Sequence, residues 1–265
     1  MDMYDGTRIV IPNEQIPNHK IVSNEKGVLF SSIKREEALR DIPTDLNPQF
    51  HFPDIDYISK LPLLRDNKKG FSKAVSAMKS LVINKGIVKA SLFDNLDNDD
   101  EIEKEALNRI NSYKIGEPIE DIFHLIQVWG GSSGRRVYNS MEGFEWNTIS
   151  KPYNQLISSC LSINNTSDES IKVLSDAINL FDKTVKNLSV SFITKHVRFW
   201  LYHNLKENAL PIYDSIMAVE VMHRSAPTLK TLSDYWKAMV SKAKRLEISL
   251  MALERQIFLY SINNR

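Results

Sequence analysis

The sequence predicts a mainly α-helical protein with an irregular N-terminal arm. Three observations carry this. Six of the ten prolines fall within the first 70 residues, so long helices are excluded there. Beyond about Lys73 the apolar residues recur at helical spacing, and few β-branched alternating runs appear. Only nine glycines occur in 265 residues, well below the usual share of about 7%, which argues against turn-rich barrels and glycine-rich nucleotide folds.

Residues 1–70, with Pro12, Pro17, Pro43, Pro48, Pro53 and Pro62, read as an arm or small subdomain. Short strands fit at Arg8–Ile11 and Gly27–Phe30. Residues 71–265 read as one helical domain. Ala74–Ile83 is its first helix. The acidic run from Asp94 to Glu105 reads as a solvated loop leading into a helix whose first-turn acids complement its dipole. A helix is expected from Ser167 or Asp168 to Leu188. Thr166 and Glu169 form its capping box, and Ile171, Leu174, Ile178, Phe181 and Val185 form its apolar face. Another helix is expected after Thr194, with Val197, Trp200, Leu201 and Leu205 spaced for burial, and Pro211 ends that segment. Tyr213–His223, Leu229–Arg245 and Ser249–Ile262 complete the series. The four tryptophans and Cys160 are expected in the core.

Composition bounds the function. Hydrophobic residues make up 42% and charged residues 25%, ordinary for a globular chain. The single cysteine excludes an internal disulfide, a four-cysteine zinc site and an iron–sulfur cluster held by four cysteines. It also suits a reducing cytoplasm. The six histidines show no metal-ligand spacing, and no metal or cofactor is expected. No apolar run is long enough to cross a membrane, and Asp2, Asp5 and Arg8 interrupt any signal sequence. Phe181–Arg265 carries 13 Lys/Arg against 7 Asp/Glu, a net of +6. The rest of the chain is then −5, since the total is +1. A basic C-terminal third is a weak signal for nucleic acid.

One constellation carries chemistry. Lys195 is expected at the start of a helix, where the dipole penalises an ammonium and favours the nucleophilic amine. Asp214 follows 19 residues later, in Pro211-Ile-Tyr-Asp-Ser215, at a position suited to an N-cap. The stretch from His203 to Leu210 is long enough to return the chain and bring the two helix starts together.

Thr194-Lys195, the spacing to Asp214 and the phrase Pro-Ile-Tyr-Asp-Ser resemble the helix–hairpin–helix DNA glycosylase superfamily. The likeness is greatest to 8-oxoguanine DNA glycosylase and its bacterial relatives of that fold. It covers about half the chain, from Trp129 onward. Upstream, Gln127-Val-Trp-Gly-Gly-Ser-Ser-Gly-Arg-Arg136 also resembles the bacterial relatives. The resemblance implies a hairpin near residues 188–196, a Lys195 nucleophile at the sugar C1′ and an Asp214 partner that stabilises charge and shuttles protons. It further implies a base pocket on the helix of Leu253–Tyr260, where Glu254 and Phe258 stand one turn apart.

Three departures from the family pattern stand out. Ser191, Phe192 and Ile193 replace the hairpin glycines. Glu254 replaces the base-reading glutamine, and a carboxylate suits an exocyclic amine, as on cytosine. Ile216 stands where a histidine is usual. Arg135, Arg136, His196 and Arg198 are the expected contacts to the DNA backbone. The expectation is therefore a monomeric, cytoplasmic DNA glycosylase. It removes a modified cytosine in phage DNA or an oxidised purine, in repair or in defence against phage, with β-lyase activity where a Schiff base forms. The rival is a non-catalytic DNA-binding or scaffold protein of the same fold.

Overall fold

The computed structural model describes residues 22–24, 27–29, 68–139 and 144–263. These residues are mainly α-helical. A hairpin pairs β1 (Val22–Asn24) with β2 (Gly27–Leu29) antiparallel, Val22 opposite Leu29. The expected strand at Arg8–Ile11, and most of the arm, lie outside the described residues. Among the described residues no helix is long and apolar enough to cross a membrane.

The helices are α1 (Lys68–Asn84), α2 (Asp99–Ser112), α3 (Glu120–Trp129), α4 (Trp146–Ser162), α5 (Asp168–Thr184), α6 (Val190–Leu205), α7 (Ser215–Met222), α8 (Leu229–Leu246) and α9 (Leu250–Asn263). The chain divides into two units. One holds Met1–Leu64, Ser215–Ala226 and Arg255–Arg265. The other holds Arg65–Asp214 and Pro227–Glu254.

The larger unit is organised about α6. This helix packs against α2, α3, α4 and α5. It buries Phe192, Ile193, Val197, Phe199, Trp200 and Leu201, so its apolar surface runs nearly all round, as a central helix requires. The surrounding helices are amphipathic. In α5, Ile171, Leu174, Ile178 and Phe181 are buried as their spacing predicts. In α2, Asn98 accepts the Glu101 amide, and the Glu101 carboxylate returns to the Asn98 amide. This reciprocal cap satisfies two orphan donors at once. In the smaller unit, the Ser261 hydroxyl donates to Glu220 at 2.8 Å, satisfying a buried carboxylate.

Several boundaries differ from the sequence reading. Helix α5 ends at Thr184 rather than Leu188, and its cap is Ser167, which accepts the Ser170 amide, rather than Thr166 with Glu169. The chain turns through Val185–Ser189, with Asn187 left-handed at φ 65°. Asparagine tolerates that region because its short side chain bonds locally. Helix α6 consequently starts at Val190, well before the expected Thr194. Much of the segment read as a hairpin, 188–196, is therefore helix. Helix α7 starts at Ser215 rather than Tyr213, since Leu210–Asp214 forms no regular element. Trp200 and Trp236 are fully buried, whereas Trp129 and Trp146 are half-buried.

Candidate functional site

Lys195 lies in the second turn of α6, not at its start. The helix dipole acts within the first turn, so it is not the cause of any perturbation there. Burial is. It pushes the Lys195 amine below the usual lysine range, against the opposing charges of Asp214 and Glu254. The ammonium nitrogen, Nζ, donates to the Gly130 carbonyl at 3.2 Å. It stands 4.2 Å from the Phe192 ring centroid and 5.9 Å from that of Trp129.

This cage depends on glycine. A Cβ at Gly130 would lie 2.4 Å from Phe192 Cε1 and 3.3 Å from Lys195 Cδ. A Cβ at Gly134 would lie 2.6 Å from the same ring atom. The Gly130–Gly134 segment thus comes close enough to hold the Phe192 ring beneath the lysine. Arg135 and Arg136 follow in the 3₁₀ segment Ser132–Tyr138, and both are exposed.

Asp214 ends a short extended stretch whose backbone is clamped by side chains. The Trp236 indole donates to the Pro211 carbonyl at 2.9 Å, and the Tyr235 hydroxyl to the Ile212 carbonyl at 2.7 Å. The Ile212 amide donates to Glu254 Oε1 at 2.7 Å. The Tyr213 amide donates to Thr194 Oγ1 at 3.0 Å. The Tyr213 hydroxyl meets Thr231 at 2.8 Å, and its ring stacks on Tyr235 at 4.4 Å. These partners are buried, so each bond also relieves a desolvated group.

Glu254 is buried at 8% exposure, and burial pushes its carboxyl up to about 7, against the Arg198 charge and the Ile212 amide. One oxygen serves the Ile212 amide and the other faces Arg198 Nε at 3.8 Å. The carboxylate is thus engaged within the protein. An exocyclic amine read by this carboxylate would compete with both partners. Phe258, one turn along α9, is half-buried and falls in the smaller unit.

Two expected DNA contacts are corrected. Arg198 is 8% exposed and donates to Glu103 at 2.8 Å, with its guanidinium over Trp129 and Phe199. It faces two carboxylates instead of a phosphate, and one member of the acidic run, the half-buried Glu103, is therefore paired within the protein. His196 is 1% exposed. Its Nδ1 meets the Tyr153 hydroxyl at 2.7 Å, its Nε2 meets the Gln127 side-chain nitrogen at 3.1 Å, and Phe123 stacks on its ring. The Trp200 indole also donates to that hydroxyl. Burial lowers His196 to about 3, so the ring is neutral and belongs to the core.

Sequence reasoning paired Lys195 with Asp214 and missed the parts that hold them. In the sequence Thr194 and Tyr213 enter only as parts of a motif, Phe192 as a replaced hairpin glycine and Trp236 as core, and Tyr235 is not singled out. One signal was available. Thr194 and Tyr213 are separated by the same 19 residues as Lys195 and Asp214, so a bond between the preceding residues aligns the pair. Among the described residues no group of three or more His, Cys, Asp or Glu could hold a metal ion. No protein-family model, no curated protein and no solved structure matches this chain.

Proposed function

We propose that the protein is a DNA glycosylase that excises a modified base with Lys195 as nucleophile and Asp214 as its partner, on a helix–hairpin–helix glycosylase-like fold. The observation that carries the reading is a lysine amine set beside Asp214 and the Phe192 and Trp129 rings, which burial biases toward its neutral form although that carboxylate and those rings favour the ammonium. A neutral amine is the form that attacks carbon. The basic C-terminal third and the exposed Arg135 and Arg136 supply charge for a phosphate backbone.

The chemistry runs in balanced steps. The target nucleotide leaves the stack. The Lys195 nitrogen pair forms a bond to C1′. The glycosidic bond breaks and its electron pair departs with the base. Asp214 accepts a proton from the lysine nitrogen and passes it to the base nitrogen. The C1′–O4′ bond then breaks as the nitrogen pair forms the C1′=N bond, and O4′ takes a proton from solvent, leaving a protonated Schiff base between Lys195 and C1′. Asp214, ionised again, takes a C2′ proton, and the electron pair of that C–H bond forms the C2′=C3′ double bond as the 3′ phosphate leaves with its C–O pair, which is the β-lyase reaction.

The test is borohydride trapping on a panel of unmodified, 8-oxoguanine and modified-cytosine duplexes, with released base read in parallel. The expected result is a covalent adduct on one modified duplex, lost in Lys195→Gln while DNA affinity is retained. Full base release by Lys195→Gln would refute the mechanism. Salt-dependent binding that is indifferent to modification, with no base released, would establish the non-catalytic DNA-binding reading instead.

A further inference from the structure

We propose that Thr194 is a positioning residue, whose hydroxyl sets the register of Asp214 against Lys195 by accepting the Tyr213 amide. The inference rests on the glycosylase reading for its consequence in activity, but its geometry stands by itself. The hydroxyl is fully committed. It donates to the Ser191 carbonyl at 3.0 Å, back along its own helix, which fixes the direction of its proton. Its lone pair then faces the Tyr213 amide at 3.0 Å. Thr194 is fully buried, so no water replaces either partner. Each member of this bond directly precedes a member of the proposed reacting pair. An error in the bond therefore transfers to the separation of Lys195 and Asp214 through one peptide unit on each side.

The other clamps act on Pro211, Ile212 and the Tyr213 side chain and come from α8 and α9. The Thr194 bond ties the loop backbone to the helix that carries Lys195. Without it, the loop stays attached to α8 and α9 and its backbone loses this anchor on α6. The charges that bear on the lysine are Asp214 and Glu254, and Lys195 in turn bears on His196. Asp214 is the group whose distance changes when the bond is lost.

The experiment compares the full-length wild type with Thr194→Val, Thr194→Ala and Thr194→Ser. Competitive acylation with acetic anhydride across pH, read by mass spectrometry at the Lys195 peptide, gives the ionisation midpoint of that amine without any DNA. In Thr194→Val the midpoint is expected about one pH unit lower, because burial is no longer offset by a close carboxylate. Thr194→Ser is expected to keep the wild-type midpoint. Thr194→Ala removes the acceptor without adding a methyl group, and decides the matter if the valine variant does not fold. On a cleaved duplex, kcat is expected to fall by about 10²-fold in Thr194→Val with KM unchanged, as misplacement of a reacting pair requires, and to return in Thr194→Ser. A folded Thr194→Val or Thr194→Ala with the wild-type midpoint would overturn the proposal. If the wild type releases no base from any duplex, the glycosylase reading fails, while the acylation midpoints still decide what Thr194 does.

Discussion

Replacing Glu254 with glutamine isolates the cost of a buried charge. In the folded protein this carboxyl ionises at about 7, against 4.5 for an ordinary glutamate. Raising a carboxyl's folded value means that the unfolded chain gives up the proton more readily. The contribution to stability is therefore complete below about pH 4.5 and is lost as the pH rises through 7. At about 1.4 kcal/mol per tenfold step, that interval corresponds to about 3 kcal/mol. Glutamine keeps an oxygen for the Ile212 amide, carries no charge and so has no such dependence. At pH 5, where Glu254 is mostly protonated, Glu254→Gln is expected to match the wild type within about 1 kcal/mol. At pH 8 it is expected to be more stable by about 3 kcal/mol, a rise in Tm of about 6–12 °C for a chain of this size. The assay is urea unfolding of both proteins at the two pH values. The difference between them cancels the histidines, whose lowered values act in the opposite direction: His124 and His196 ionise at about 3, so their contribution is lost as the pH falls below 6.5. A Glu254→Gln variant equally destabilised at both pH values would refute the reasoning, because it would show that the charge is retained as a favourable partner of Arg198.

Two further outcomes follow from the same geometry. Arg198→Ala leaves Glu103 and Glu254 without their shared cation. It is expected to cost about 3–5 kcal/mol at pH 8 and less at pH 5, measured by urea unfolding. An equal loss at both values would show that packing over Trp129 and Phe199, not charge, is what Arg198 supplies. Gly130→Ala forces a methyl group against the Phe192 ring and is expected to cost about 1–3 kcal/mol. Phe192→Leu in the same chain is expected to recover part of that loss in thermal unfolding. No recovery would place the strain elsewhere.

Much of the helical order was legible because its signals are local. The stripe from Ile171 to Phe181 needs no knowledge of what it packs against, and α8 begins at the expected Leu229. Where the signal is not periodic, the reading failed. Helix α3 is buried at every position from Ile122 to Val128, so it shows no polar face to reveal its period. Helix α4 does carry a helical spacing in Ile149, Tyr153, Leu156 and Cys160, but Pro152 in its interior argues locally against a helix and masks it. The sequence places the start of α6 too late because the resemblance assigns residues 188–196 to a hairpin, although Ser191, Phe192 and Ile193 stand where its glycines would be.

The site divides in the same way. The 19-residue spacing of Lys195 and Asp214 is a property of the chain and was found. Arg198 reads as a surface cation until its partner Glu103, 95 residues earlier, is brought beside it. The engagement of Glu254 depends likewise on a backbone amide 42 residues away. Such roles are set by tertiary placement, and no local pattern encodes them.

The clamped stretch from Pro211 to Tyr213 has a consequence for how substrate is met. A segment outside any helix is ordinarily among the first to open, with amide protons that exchange through small local fluctuations. Here the amides of Ile212 and Tyr213 end on side chains from α9 and α6, and the neighbouring carbonyls on two aromatic residues of α8. Freeing those protons requires moving the stretch off both α9 and α6, so their exchange is expected to be slow for a loop. A stretch held in that way does not remodel itself around a ligand. On the proposed glycosylase reading, the carboxylate that follows it is in position before the nucleotide arrives, and the reorganisation falls to the DNA.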